Sequence, residues 1–238
     1  MKSKKKYVRL TPRIRAGILY EDKDVIAVNK PAGILTVPIP GMKSANLQER
    51  LDDHLRKQKK QAWTVHRIDR YTSGVVLFAK NSRARKDLIR QFRNHEPGRI
   101  YLALIRGVPD PPEGELVHHM KRIKQGFRNV IVPKSDPKAS EARLKYRVTE
   151  RFKNTSLVEV ALVTGLKNQI RVQFAELGHP TVGDRHYASD EQEEKLIHRQ
   201  ALHASRLEFV HPGTKQTVAL TAPWPKDFHR LIVYYRKS

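Results

Sequence analysis

The amino-acid sequence predicts an α/β fold in one compact domain in which strands outnumber helices. Three observations lead there. Short β-rich runs bounded by turn residues recur along the chain while helical spacing is confined to a few segments, the connections are too irregular for a doubly wound parallel sheet, and 238 residues are ample for one hydrophobic core.

Residues 1 to 15 carry seven Lys or Arg and no acid. They predict a basic N-terminal arm over 1–17, either a loosely ordered segment that searches for phosphate or a solvated tail. Ile18-Leu19-Tyr20, a turn at 21–24 and Val25-Ile26-Ala27-Val28-Asn29 then read as a β-hairpin. Lys30-Pro31-Ala32-Gly33 and Pro38-Ile39-Pro40-Gly41 break regular structure twice, so a long loop follows. Leu47, Leu51 and Leu55 recur every four residues behind a possible Asn46 cap and predict a helix over 47–58. Val75 to Ala79 is a continuous apolar run, the pattern of a strand buried on both faces. After Asn81 or Ser82 a second helix turns Ala84, Leu88, Ile89 and Phe92 to the core. Its other face holds Arg83, Arg85, Lys86, Arg90 and Arg93 against Asp87 alone, a balance that favours phosphate contact over simple solvation. Downstream, strands are expected at Tyr101 to Ile105, around Leu144, Tyr146 and Val148, and from Leu157 to Val163, with a turn at Pro109 to Gly114. A short helix over 168–177 closes at Gly178, and a terminal helix over 226–236 follows Pro225.

Composition narrows the partners. Lys and Arg number 47 against 24 Asp and Glu, a formal charge of +23. Such an excess calls for a polyanion, and nucleic acid fits best because each neutralised phosphate releases counterions. The absence of cysteine excludes disulfides, thiol nucleophiles and cysteine-bound zinc. The eleven histidines form no spaced pair suited to a metal, and His118 and His119 would point apart on a strand, so no metal is expected. The chain opens without an apolar signal region, and no run approaches the roughly 18 apolar residues of a membrane span. A cytoplasmic, nucleoid- or ribosome-associated protein with no membrane partner is expected.

The residue that stands out chemically is Asp69, a single carboxylate between Arg67 and Arg70, just before the turn Thr72-Ser73-Gly74 that enters the buried strand. A cationic setting keeps a carboxylate ionised, and a turn at a strand edge holds it rigidly, which suits a nucleophile. Composition alone equally admits an aspartate that merely pairs with arginine to satisfy the turn.

The wording around it is more specific. His66-Arg67-Ile68-Asp69-Arg70-Tyr71-Thr72-Ser73-Gly74 resembles the active-site signature of the RluA-type RNA pseudouridine synthases, usually His-Arg-Leu-Asp-Arg-x-Thr-Ser-Gly. Ile18 to Pro38, with Ala27-Val28-Asn29-Lys30-Pro31-Ala32-Gly33, is similar to that family's first motif, and Arg99-Ile100-Tyr101-Leu102-Ala103 to the segment bearing its active-site tyrosine. Thr164 to Tyr187 resembles the third motif, including Gln169-Ile170-Arg171-Val172 and Leu177-Gly178-His179-Pro180-Thr181-Val182-Gly183-Asp184. Leu202-His203-Ala204 and Ala222-Pro223-Trp224-Pro225 match its C-terminal pattern, so the likeness runs in order over roughly 18 to 226.

The resemblance implies one pseudouridine synthase catalytic domain over 18–238, of α/β (α+β) class, with a mixed, largely antiparallel sheet flanked by helices and crossed by a catalytic cleft. It implies isomerisation of uridine in rRNA or tRNA. The N1 to C1′ bond of a flipped-out nucleotide breaks, the uracil turns, and its C5 bonds to C1′. Asp69 would be the nucleophile, at the sugar or at the base. Tyr101 would stack on the uracil and help remove the C5 proton, although a half-buried strand tyrosine is the plain alternative. Arg171 would pair with Asp69. Arg70 would fill the gap left by the flipped uridine, and Arg67 would bind phosphate or brace the loop. His66, Thr72 and Gln169 complete the expected RNA contacts. No cofactor is required, RNA is the partner, and a monomer is expected.

Two departures accompany the likeness. Leu166-Lys167-Asn168 replaces the Arg-Thr-His that usually precedes Gln-Ile-Arg, and Ile68 replaces Leu. The 17 residues before the hairpin are too short for the small RNA-binding domain of many relatives, which places RNA affinity in the catalytic domain and the arm. An inactive RNA-binding or assembly factor is disfavoured by the intact Asp69, Tyr101 and Arg171. A glycoside or nucleotide hydrolase would need a second carboxylate or a metal cluster near Asp69.

Overall fold

The computed structural model describes residues 7–12, 14–41, 44–123, 128–188 and 190–238. Within the stretch read as one domain it distinguishes two compact units, the first comprising the chain up to Gly98 together with Ala204–Pro223, the second Arg99–His203 together with Trp224–Ser238. The expected α/β composition with largely antiparallel pairing holds in each.

In the first unit the sheet runs β1 (Tyr7–Arg9), β2 (Arg15–Glu21), β3 (Val25–Lys30), β5 (Ser73–Ala79) and β11 (Leu202–Val210), with β12 (Thr217–Thr221) on β11 and the short β4 (Trp63–Thr64) on β5. The expected hairpin is β2 and β3, joined at Asp22, whose carboxylate accepts from the amides of Asp24 and Val25 at 2.8 Å. Every residue of β5 is buried, as its unbroken apolar run required. Val25, Ala27, Val75, Leu77, Leu207 and Phe209 form the core of this unit.

Part of the basic arm is ordered rather than loose. Tyr7 and Val8 of β1 pair with Gly17 and Ala16 of β2, and Val8, Leu10 and Ala16 are buried. Residues 1–6 and Arg13 of the arm lie outside the described residues. The leucine stripe forms α1 (Leu47–Leu55) behind the Asn46 cap and tightens into a 3₁₀ turn at Arg56–Gln58. In α2 (Ser82–Arg93), capped by Asn81, Ala84 and Leu88 are buried as expected, but Gln91 is buried while Ile89 and Phe92 are only partly covered. The reason is polar: the Gln91 amide donates to the Val210 carbonyl at 2.8 Å and accepts from its N–H at 3.1 Å, satisfying both main-chain groups.

In the second unit the strand order is β6 (Gly98–Arg106), β10 (Thr155–Leu162), β9 (Ser140–Arg151), β7 (Glu113–Arg122) and β8 (Asn129–Ile131). Glu113 and Gly114, read as part of a turn, already belong to β7. The short helix α3 (Gln169–Glu176) ends as expected, with Gly178 at φ +83° and the His179 amide bonded to the Phe174 carbonyl at 2.8 Å. The six-residue α4 (Glu191–Leu196) was not foreseen. The terminal helix α5 (Lys226–Lys237) follows Pro225, and the Asp227 carboxylate in its first turn caps the Phe228 amide and takes both arms of the Arg199 guanidinium. Leu104, Leu157, Val182, Phe228 and Leu231 make up the core here. Among the described residues no helix is long and apolar enough to cross a membrane.

A buried ionic knot holds the β2–β3 turn. The Lys80 ammonium donates to Glu21 at 2.8 Å and to Gln58 at 2.9 Å, and His54 lies 3.2 Å from the same carboxylate. Burial by itself would raise the Glu21 carboxyl, but the hydrogen bonds of Lys80, Gln58 and His54 outweigh it and hold it down at about 2, below its ordinary 4.5. A folded-state value below the unfolded one stabilises the fold fully above about pH 4.5, and that stabilisation fades as pH falls toward 2. Accordingly, Glu21→Gln is expected to unfold more easily than the parent at pH 7, with the gap between their denaturant midpoints closing toward pH 2; a gap constant across that window would remove Glu21 as the acid-sensitive group.

Candidate active site

The turn bearing Asp69 is fixed from below by residues far away in sequence. Lys30, at the end of β3, is fully buried, and its ammonium donates to the carbonyls of Pro31, Ile34 and Arg70 at 3.1, 2.8 and 3.0 Å. One side chain thus ties the loop after β3 to the residue that follows Asp69. Gly33 and Arg70 add two reciprocal bonds: the Gly33 amide donates to the Arg70 carbonyl, and Arg70 Nε donates to the Gly33 carbonyl, each at 2.9 Å. Gly33 sits at φ +87°, a conformation that a Cβ would strain. Buried Thr36 closes the other side, its hydroxyl donating to the Ile68 carbonyl at 2.9 Å and accepting from the Ile68 amide at 3.3 Å.

The turn itself closes by a bond from the Thr72 amide to the Asp69 carbonyl at 3.1 Å, leaving Asp69 partly exposed and Arg67 and Arg70 exposed on either side. The Arg70 guanidinium lies 5.4 Å from the centre of the exposed Tyr71 ring. Gly74 then enters β5 at φ +121°, where a Cβ would stand 2.1 Å from the Ala204 carbonyl oxygen, so only glycine admits this close approach. His66 occupies a packing position. Its ring stacks on Phe92 at 4.4 Å, and Nε2 accepts from the Leu77 amide at 2.9 Å. Thr72 is buried, whereas His66 is partly exposed.

The remaining expected site residues lie in the second unit. Tyr101 is a buried residue of β6, opposite Val160 of β10. Arg171 projects from α3 and is only 4% exposed. Its Nε and Nη2 grip the two oxygens of buried Asp184 at 2.6 and 2.7 Å, and Nη1 donates to Asn168 at 3.2 Å. A bidentate pair of this kind sets the plane of the guanidinium as well as its position. Burial, and then the charge of Arg171, push the neighbouring His186 imidazole below its ordinary range, toward the neutral form. Gln169 is 2% exposed with its amide committed internally, accepting from Thr164 Oγ1 and the Leu166 amide and donating to the Arg143 carbonyl. It shapes the loop ahead of α3 rather than presenting a side chain to solvent.

The departures in this segment have structural uses. Asn168 sits at φ +57°, which asparagine tolerates better than most residues, and links Arg171 to the Tyr187 hydroxyl at 3.2 Å. Leu166 packs against the small core of Met120, Ala142 and Val172, and the Lys167 carbonyl accepts from Asn129. Lys30, Thr36 and Asp184 had no assigned role in the sequence reading. A lysine closing a β-rich run was a legible signal for the first; nothing local marks the other two.

Among the described residues one trio, Asp22, Asp24 and His211, brings ligand atoms within 4.8 Å of one another. His211 Nδ1 accepts from the amides of Gly213 and Thr214, which places the ring proton on Nε2, 2.8 Å from Asp22, while Asp24 accepts from Asn81.

The chain thus combines a partly exposed carboxylate on a braced turn with antiparallel sheets and a formal charge of +23. Residues 24–176 match the family model described as RNA pseudouridylate synthase, and the chain belongs to that family. It is 36% identical over 230 residues to the ribosomal large subunit pseudouridine synthase D of Neisseria meningitidis, covering 92% of this chain and 61% of that protein. It is also 36% identical to the dual-specificity RNA pseudouridine synthase RluA of Escherichia coli, covering 87% of this chain and 92% of the relative. A solved structure of human RNA pseudouridylate synthase domain containing 4 shares the fold, with a TM-score of 0.77 at 22% identity over 92% of each chain.

The Lys30 clamp makes a sharp prediction. Lys30→Met keeps the stem length but removes the ammonium donor from the carbonyls of Pro31, Ile34 and Arg70, and is expected to lower unfolding free energy by about 3 kcal/mol. Amide exchange at Gly33 should rise in parallel; a variant with parental stability and protection would show that the clamp does not hold the turn.

Proposed function

We propose that this protein isomerises specific uridines of structured RNA to pseudouridine, with Asp69 as the nucleophile. The observation that carries the reading is the presentation of Asp69: a partly exposed carboxylate on a turn fixed from beneath by Lys30 and Thr36, inside the family-matched residues. A nucleophile must approach one carbon repeatedly in one geometry, and such bracing supplies that before substrate arrives. The reaction is an intramolecular transfer: the N1 to C1′ bond breaks, the C5 to C1′ bond forms, C5 loses a proton and N1 gains one. Nothing is oxidised and no group passes to a second molecule, so no cofactor enters the proposal.

Tyr101 is assigned to the uracil face and to removal of the C5 proton, and Arg171 supplies the positive charge that keeps the nucleophile ionised and aimed. Exposed Arg70 fills the space of the extruded base and Arg67 meets phosphate. His66, Thr72 and Gln169 act through the shape of the loops they pack. The substrate is ribosomal or transfer RNA; the Neisseria relative is named for the ribosomal large subunit and the E. coli relative for a dual specificity toward RNA. A cytoplasmic monomer with one catalytic domain over 18–238 completes the proposal.

Tritium release from RNA labelled at uridine C5 tests the chemistry. Asp69→Asn is expected to lower release by about a thousandfold or more while binding RNA almost as the parent does. Parent protein that binds total rRNA and tRNA yet forms no pseudouridine in either would end the enzymatic reading. For Arg171→Ala, a large drop in rate with modest loss of affinity is expected, together with a lower melting temperature because Asp184 stays buried without its partner. An unchanged rate would remove Arg171 from the reaction.

A further inference from the structure

The basic face of α2 resolves into two populations of cations. Arg90 is engaged twice, by Glu96 at 2.6 Å and Asp87 at 3.3 Å, and Arg85 lies over the Trp63 ring at 4.8 Å from its centre. Exposed Arg56, Arg206 and Arg236 each pair with a carboxylate, whereas Arg83, Lys86 and Arg93 are exposed and have no acidic partner among the described residues. At 100° per residue these three side chains fall within about 80° of one helix face and span about 15 Å along it. The arrangement opposes helix stability: like charges stand three and seven residues apart, Arg83 lies in the first turn where the helix dipole repels a cation, and no acid is present there to offset it. Solubility does not require a stripe with that internal cost.

The same residues line a groove of about 620 Å³, to which Ile89 and Pro212 contribute apolar surface; Lys215, from the turn between β11 and β12, also lines it but is paired at 3.3 Å with Asp87, the acid of the groove. An apolar strip edged with cations suits a chain of riboses flanked by phosphates. The opposite side of α2 braces the segment that leads into the Asp69 turn, through Phe92 stacked on His66 and Arg85 over Trp63. A strand held on the outer face is therefore held by the helix that packs on the Asp69 loop.

We infer that the α2 groove edged by Arg83, Lys86 and Arg93 is a docking site for the sugar-phosphate backbone of RNA, separate from the residues that handle the target uridine. The inference rests on the proposed RNA substrate and deepens it by naming where the flanking backbone is held.

The test compares two triple variants of the full chain, each losing three positive charges: Arg83→Ala, Lys86→Ala, Arg93→Ala on the groove, and Lys145→Ala, Arg151→Ala, Lys153→Ala on the exposed surface of the second unit. Alanine is the strongest helix former, so α2 itself is not put at risk, and circular dichroism and melting confirm the fold. Binding of a fluorescent RNA hairpin is measured across salt concentrations. The groove variant is expected to bind about tenfold or more weakly at ~0.1 M salt, with the slope of log K against log salt reduced by about 2, since each lost phosphate contact removes roughly 0.7–0.9. The control variant should change the slope by less than half as much, and in pseudouridine formation the groove variant's loss should fall on KM more than on kcat. An unchanged slope in the groove variant, or an equal change in both variants, overturns the docking site. The binding measurement does not depend on catalysis, so a parent protein that forms no pseudouridine would overturn the enzymatic reading while the slopes still judge the groove.

Discussion

The Lys30 ammonium and its three carbonyl partners are the constraint from which the order of the Asp69 loop follows. A fully buried cation is tolerable only when its donors are satisfied, and here they are satisfied by main chain from two segments about 40 residues apart. The interaction therefore enforces a geometry: the carbonyl of Arg70 must stay where Lys30 reaches it, which fixes the residue beside Asp69. Thr36 and the Gly33–Arg70 pair repeat the same logic with neutral groups. The loop is held as a rigid platform although it carries little regular secondary structure.

Buried cations recur as devices for placing elements. Lys80 gathers the β2–β3 turn, Arg171 orients the start of α3 on Asp184, and Arg199 anchors α5 through Asp227. Each is buried and each has acceptors in matching number and direction. They contribute to the formal charge but not to the electrostatic field that RNA would meet, which comes from exposed, unpaired groups such as those of α2. The charge of the chain thus divides into a structural share and a share directed outward.

Long-range steering and local capture have different requirements. Excess positive charge raises encounter with any polyanion, whereas positioning one uridine needs groups whose directions are set before binding. In the proposed reading the cations along α2 supply the first kind of contact and the braced turn the second. The packing of His66 on Phe92 couples the helix to the loop.

Local pattern was enough for much of the architecture. The apolar run of β5, the leucine stripe of α1, the β2–β3 hairpin, the glycine stop of α3 and the Pro225 start of α5 depend on interactions within a few residues, and such spacing is written directly in the chain. The motif around Asp69 was equally legible, because it is a contiguous run of nine residues, 66–74. The division into two compact units was not legible, since it rests on which distant segments touch. The burial of Gln91 was hidden because its hydrogen-bond partner is Val210, 119 residues away. Gln169 and Thr72 looked like RNA contacts in a motif, and only packing revealed that one spends its amide on Thr164, Leu166 and Arg143 and that the other is enclosed. The sequence by itself determined which residue types and which local turns the site would have. Tertiary structure alone decided which cations are sealed inside as clamps and which remain outside for a polyanion, because desolvation and pairing are properties of the folded surroundings and not of the residue.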